Sequence, residues 1–68
     1  MKNYVKSYDG MQYINPDYII AVEMKPAHKN GRPVDGFQVV AKYTAGTAIL
    51  FYGDIGECAA FIERGCKL

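Results

Sequence analysis

The feature of this sequence that most constrains its fold is a pair of strand-like segments with apolar side chains on both faces. Successive residues of a β-strand point to opposite sides of the sheet. In residues 47–52 (Thr-Ala-Ile-Leu-Phe-Tyr) both alternate sets are largely apolar, and residues 18–24 come close to this pattern. The chain contains one short amphipathic helical segment, which covers one face of a sheet. The sequence therefore predicts that another molecule covers the second face.

The short length of the chain further limits how much apolar surface it can bury by itself. Its 68 residues, half of them hydrophobic, predict one globular domain over residues 1–68. A domain of this size buries only about 60% of its unfolded surface, and small proteins compensate with disulfides, a metal or oligomerisation. Cys58 and Cys66 would lie about 12 Å apart on a single helix, so we expect reduced thiols. Oligomerisation is therefore the favoured compensation.

Turn signals in the first half of the chain predict three strands. Asp9-Gly10 separates two strand-like runs, residues 4–8 and 11–15, and predicts a hairpin with a two-residue type I′ turn. In that register Lys6 opposes Tyr13, and Val5 opposes Ile14. Asn15-Pro16-Asp17 predicts a turn before a third strand at residues 18–24.

The second half predicts two more strands and a helix. Residues 25–35, with two prolines and an Asn-Gly pair, predict an exposed loop between strands three and four. Strands at residues 36–43 and 47–52 follow. Asp54 and Glu57 predict a capping box for a helix over residues 55–64, with Gly65 as its stop. The predicted fold class is α+β: an antiparallel, curved five-stranded meander with one C-terminal helix packed on one face (β-β-β-β-β-α).

Alternation assigns side chains to the two faces of this sheet. The helix presents an apolar stripe formed by Ile55, Cys58, Ala59 and Ile62. The strand residues expected to meet that stripe are Tyr18, Ile20, Val22, Phe37 and Val39. The opposite side keeps Ile19, Ala21, Val40 and one apolar set of strand five. We predict that this side, or an exposed edge strand, forms a homodimer or a higher symmetric assembly.

Four basic or potentially basic side chains in residues 25–32 form the first candidate binding site. They are Lys25, His28, Lys29 and Arg32. Such a loop is suited to an acidic protein or a nucleic-acid groove, or it is simply a solvated loop. A net charge of +1 argues against a protein held mainly by phosphate contacts.

Tyrosines on the first hairpin form the second candidate site. Tyr4, Tyr8 and Tyr13 are expected on one face, where they suit a core, a protein interface or stacking on single-stranded bases. With Ile19 and Val40 they make up the predicted interface or stacking set.

Enzymatic chemistry finds little support in the sequence. No spacing of Cys58, Cys66 and His28 resembles a zinc site, and His28 lacks the second polar partner that a general base or nucleophile requires. Gly53-Asp54-Ile55-Gly56 precedes a helix, as a phosphate-binding loop does. The Asp54 carboxylate, however, occupies the position that a bound phosphate would take. We expect no enzyme activity and no cofactor.

One short segment carries a family resemblance. The octapeptide Tyr13-Ile14-Asn15-Pro16-Asp17-Tyr18-Ile19-Ile20 resembles the strand–turn–strand opening of the small flagellar FlbD family. The resemblance rests on turn chemistry over about a tenth of the chain, and we infer no role in motility from it.

The sequence therefore favours a small, non-enzymatic binding module that occludes or bridges a macromolecular partner. No apolar run reaches the roughly 20 residues of a membrane span, and we expect a cytoplasmic protein. Phage- or mobile-element-encoded inhibitors and regulators share this profile, and a protein partner is favoured over nucleic acid. The first alternative is a nucleic-acid-binding accessory protein that uses residues 25–32 and the hairpin tyrosines. The second is an oligomer that sequesters a small nucleotide or metabolite between its subunits.

Overall fold

The structure, a computed structural model, describes residues 4–66. Strands and helices follow in the order β1 Val5–Lys6, β2 Tyr13–Ile14, a 3-10 turn Pro16–Tyr18, β3 Ile19–Lys29, β4 Arg32–Tyr43, β5 Gly46–Gly53 and α1 Ile55–Glu63. The predicted α+β class and the order of five antiparallel strands before one C-terminal helix are confirmed.

The strands divide into two sheets instead of the single predicted sheet. β3, β4 and β5 form an antiparallel meander, and β1 and β2 form a separate short hairpin. The hairpin has the predicted register, with Val5 opposite Ile14 and Lys6 opposite Tyr13. It reaches the meander through one backbone hydrogen bond, in which Tyr8 N donates to the Ile49 carbonyl at 2.8 Å.

The turn of the first hairpin differs from the predicted type I′ turn. Its loop contains four residues, because Ser7 N donates to the Gln12 carbonyl and Gly10 N donates to the Ser7 carbonyl. The Asp9 carboxylate accepts from Ser7 Oγ at 2.6 Å and from Met11 N at 2.9 Å. These bonds hold Asp9 with a negative φ, so only Gly10 is left-handed. The predicted register is still correct, because a four-residue loop and a two-residue loop that are both centred between Asp9 and Gly10 leave the same strand residues opposite each other.

The predicted loop at residues 25–35 is wrong, because β3 and β4 continue through almost all of it. Only Asn30 and Gly31, with φ of 52° and 76°, form the turn, which is type I′. Both prolines are tolerated in these strands. Pro26 lies in β3, an edge strand, and Pro33 lies in the part of β4 that extends beyond its pairing with β5.

Two β-bulges change the predicted faces. Between Ile19 and Ala21 the extra residue is Ile20, and Ile20 is 74% exposed. Ile19 packs against the core instead of on the opposite side. The second bulge, in β5 opposite Val39 and Val40, lets Leu50 and Phe51 both face the core.

The core lies between the meander, the hairpin and α1. Its buried members are Val5, Ile14, Val39, Ala41, Ala48, Leu50, Cys58 and Phe61. Val22 and Phe37 pack against it as predicted, whereas Tyr18 and Ile20 are mostly exposed and do not. On the helix Phe61 is buried and stacks on Phe51 with ring centroids 4.7 Å apart, whereas the predicted stripe residue Ile55 is 60% exposed.

Both ends of α1 have the predicted caps. Asp54 accepts from Glu57 N at 2.7 Å and Glu57 Oε1 accepts from Asp54 N, which completes the capping box. At the other end Gly65 N donates to the Ile62 carbonyl and Cys66 N to the Phe61 carbonyl, the two bonds of a Schellman motif. Cys58 and Cys66 are both free thiols, and burial raises the pKa of each.

The reverse face of the meander, which we call the open face, is mixed in character. Cross-strand pairing arranges it as three rows of three residues: Ala21, Lys42 and Thr47; Glu23, Val40 and Ile49; Lys25, Gln38 and Tyr52. Glu23 Oε1 lies 3.0 Å from Lys42 Nζ and 3.8 Å from Lys25 Nζ. Val40, beside Glu23, is only 6% exposed in the single chain. The predicted Ala21 and Val40 lie on this face with Ile49, whereas Ile19 does not, and charged side chains share the face with them.

Candidate functional site

One concave surface of the molecule is a groove lined by tyrosines. We call it the tyrosine groove. It is shallow, with a volume of about 630 Å³. Its lining residues come from the hairpin, the 3-10 turn and the β4–β5 turn: Tyr4, Gln12, Tyr13, Ile14, Asn15, Tyr18, Tyr43, Thr44 and Ala45. Three separate chain segments therefore converge on one surface.

The first two tyrosines face outward because of the hairpin's alternation. Val5 and Ile14 are 7% and 6% exposed and point into the core. Their neighbours Tyr4 and Tyr13 take the other face, where they are 54% and 63% exposed. The two-faced assignment of the hairpin predicted this arrangement.

The third tyrosine is placed by the turn after β2. Asn15 caps the 3-10 turn by accepting from Asp17 N at 3.0 Å, and Pro16 occupies its first position. Tyr18 ends this turn and is 58% exposed. Tyr43, the last residue of β4, is half-buried because it packs against the core.

The lining of the groove is uncharged. The tyrosines supply rings with hydroxyl groups, and Gln12, Asn15 and Thr44 supply neutral polar groups. Beside the groove, the Lys6 ammonium lies 6.0 Å from the centre of the Tyr13 ring on the hairpin. This surface suits a ligand that offers apolar area and hydrogen-bond acceptors without a formal charge.

The other members of the predicted interface set lie elsewhere. Tyr8 is 55% exposed and meets Tyr52 edge-to-face, with ring centroids 4.7 Å apart, beside the open face. Ile19 is half-buried against the core, and Val40 is buried on the open face. Tyr4 and Tyr13 are therefore the members of the predicted set that line the tyrosine groove.

The four predicted basic-site residues are all exposed, but on strands instead of a loop. Lys29 and Arg32 face each other across the Asn30-Gly31 turn, and Lys29 Nζ lies 5.5 Å from the centre of the Tyr52 ring. Lys25 is partly balanced by Glu23 at 3.8 Å. His28 Nδ1 lies 3.1 Å from the Pro26 carbonyl, a contact that is a hydrogen bond when Nδ1 carries the proton.

Sequence reasoning missed Tyr18 and Tyr43 as groove residues. Tyr18 was assigned to the core because period-two alternation was counted from it, whereas the strand begins one residue later. An Asn cap followed by Pro is a recognisable start signal for a helical turn and would have placed Tyr18 outside the strand. No local signal exists for Tyr43, because its position depends on how the hairpin docks.

Within residues 4–66 no group of three or more His, Cys, Asp or Glu side chains is placed to hold a metal ion. The same described part of the chain contains no helix that is both long and apolar enough to cross a membrane. Comparison with protein-family models, curated proteins and solved structures found no match for this chain.

Proposed function

We propose that this protein is a small, non-enzymatic, cytoplasmic binding module that recognises another protein through the tyrosine groove. By occupying its partner's surface it occludes that partner or bridges it to another molecule. The observation that carries this proposal is the convergence of Tyr4, Tyr13 and Tyr18, each more than half exposed, on one uncharged groove.

The hydrophobic stabilisation that is lost by leaving these tyrosines exposed supports their assignment to binding. A folded domain of this size has a small hydrophobic core, so leaving several large aromatic side chains more than half exposed forgoes part of the hydrophobic stabilisation that their burial would give. Tyrosine is enriched in protein interfaces because it adds a large rigid contact area and a hydrogen-bonding hydroxyl group at a low entropic cost. Three exposed tyrosines clustered on one surface are typical of a protein interface, whereas exposed tyrosines scattered singly over a surface are not.

We do not extend the proposal to self-association. The predicted reason for it was an apolar reverse face, and the open face instead carries the Glu23–Lys42 ion pair beside a buried Val40. The edge strand β3 also carries the bulge at Ile20 together with Lys25 and Pro26, and these features discourage edge-to-edge pairing.

Affinity capture with groove variants tests the proposal. The wild-type chain is used as bait in extract from its source cell, the dominant partner is identified and purified, and its binding is measured by calorimetry. We expect the double variant Tyr13→Ala, Tyr18→Ala to weaken binding of the purified partner by at least about tenfold, since central interface aromatics commonly contribute more than 1 kcal/mol.

Tyr8→Ala is the matched control, because it removes an equally exposed tyrosine outside the groove. It should leave the affinity for the partner nearly unchanged. Equal affinities for wild type and the double variant would refute the proposal.

Nucleic-acid binding through Lys25, His28, Lys29 and Arg32 is the second candidate. It is favoured by the exposed Lys29–Arg32 pair beside the Tyr52 ring. This function predicts salt-dependent binding of an oligonucleotide that Lys29→Ala with Arg32→Ala weakens and that Tyr13→Ala with Tyr18→Ala leaves intact.

A further inference from the structure

We propose that the tyrosine groove binds a proline-rich segment of the partner protein in the polyproline II conformation. This inference rests on the proposed function and names the chemistry of its partner. Aromatic-lined grooves are a recurring means of recognising polyproline II helices, since the flat rings pack between successive proline rings. Four tyrosines around one shallow groove provide that kind of surface.

Charge complementarity favours this occupant over a charged one. No residue lining the groove carries a formal charge. A nucleic-acid strand would bring a phosphate with every base, and an acidic or basic peptide would lose hydration at its charges without gaining an ionic partner. A proline-rich segment carries no charge of its own and incurs neither cost.

Hydrogen-bond complementarity points to the same ligand. Proline has a carbonyl acceptor but no backbone N–H donor, so a polyproline II segment presents mainly acceptors. The groove presents donors: the hydroxyl groups of Tyr4, Tyr13 and Tyr18 and the amide groups of Gln12 and Asn15. Asn15 uses its side-chain oxygen to cap the 3-10 turn, an arrangement that leaves its amide nitrogen to act as a donor.

Conformational entropy is also favourable for such a ligand. A polyproline II segment is already extended in solution, so it loses little freedom when it binds. A polyproline II backbone has no internal hydrogen bonds and is solvated by water. It can therefore bind in a shallow groove of about 630 Å³ that leaves one side of the ligand in water. A flexible peptide would lose more entropy on the same surface.

Titration of the ¹⁵N-labelled full-length chain with a decaproline peptide, followed by amide chemical shifts, tests the inference. We expect saturable shifts centred on the amides of Tyr13, Tyr18 and Thr44, with little change around Lys29 and Arg32. Tyr13→Ala should weaken binding about tenfold. Tyr18→Phe keeps the ring and loses the hydroxyl group, and it should weaken binding about fivefold.

Three controls make the result decisive. A ten-residue Gly-Ser peptide should cause no saturable shift, and Tyr8→Ala should bind decaproline like the wild type. Binding of a ten-nucleotide thymidine strand in the groove, or shifts that depend on protein concentration alone, with no response to decaproline would overturn the inference in favour of nucleic acid or a second copy of the chain.

Failure of this inference is distinguishable from failure of the proposed function. If decaproline does not bind, but the cellular partner still loses affinity for the Tyr13→Ala, Tyr18→Ala variant, the groove binds a protein that is not proline-rich. If the partner binds that variant normally, the groove is not the binding site.

Discussion

At the scale of single residues, two carboxylates outside the groove have environments that make separate, measurable predictions. Hydrogen bonds from Ser7 Oγ and Met11 N hold the pKa of Asp9 below its usual range. The hydrogen bond and charge of Lys42 hold the pKa of Glu23 below its usual range, and Lys25 adds to the effect. The two sites share no partner, so their titrations should be independent.

We expect Ser7→Ala to raise the pKa of Asp9 toward its ordinary value without moving Glu23, and Lys42→Met to raise the pKa of Glu23 without moving Asp9. Carboxyl NMR shifts followed between pH 7 and pH 2 measure both values in each variant. A change in both carboxylates from either substitution would contradict the assignment of one donor set to each group.

The sign of the effect on stability follows from these directions. A carboxylate whose folded-state pKa is lowered stabilises the folded chain above the unfolded pKa, near 3.8 for Asp9 and 4.5 for Glu23. That contribution is lost as the pH falls through the lower folded value. Each variant should therefore show a smaller loss of melting temperature than the wild type over this acidic range.

At the scale of elements, the sequence predicted those features that local chemistry determines. The helix and its capping box required only Asp54 and Glu57 at the correct spacing, and the hairpin register required only the centre of the Asp9-Gly10 turn. The extension of β3 and β4 to a two-residue turn was missed because two prolines outweighed Asn30-Gly31 in the sequence interpretation. Whether Pro26 is tolerated depends on β3 being an edge strand, which is a property of the sheet and not of the segment.

The two bulges explain the remaining errors at this scale. One extra residue in a strand reverses the side-chain assignments on one side of it, as it does for Ile19 and Ile20, and neither Ile20 nor Leu50 has a distinctive local signature. For a similar reason, the sequence predicted only two of the four tyrosines in the groove. Tyr4 and Tyr13 followed from alternation in a regular hairpin, whereas Tyr18 and Tyr43 depended on where β3 begins and where the hairpin docks.

A pair of glycine substitutions tests the β3–β4 hairpin as an element. Gly31 has φ of 76° at the second position of the type I′ turn, so Gly31→Ala should destabilise the protein by about 1 kcal/mol. Gly56 is exposed in the first turn of α1, where an added Cβ would lie 3.4 Å from Asp54 Oδ1. Gly56→Ala should therefore stabilise the protein, by up to about 1 kcal/mol.

Urea unfolding measures both changes against the wild type. The opposite signs matter more than the magnitudes, because the two substitutions add the same methyl group. Stabilisation by Gly31→Ala would mean that residues 25–35 form a flexible loop after all.

At the scale of the whole molecule, a different feature protects each of the two faces and each of the two edges of the meander. The helix and the hairpin cover one face through Phe61, Val5 and Ile14. The open face is covered by ion pairs around Glu23. Tyr8 N hydrogen-bonds to the Ile49 carbonyl of β5, and the edge of β3 is interrupted by the bulge at Ile20 and by Pro26. All four lie within a single subunit, and one of them uses a hairpin that was expected to be part of the sheet.

This self-coverage predicts that the purified chain is monomeric at micromolar concentration, contrary to the assembly expected from the sequence. Light scattering should give the mass of one chain, 7.6 kDa, because the apolar side chains of the open face are either buried, as Val40 is, or half-buried, as Ile49 is. Ile49→Lys supplies the matched test, since it places a charge on that face beside Val40. It should leave the mass unchanged. A mass of two chains that falls to one in Ile49→Lys, but not in Tyr13→Ala with Tyr18→Ala, would instead show that the open face joins two copies and that its ion pairs lie within an interface.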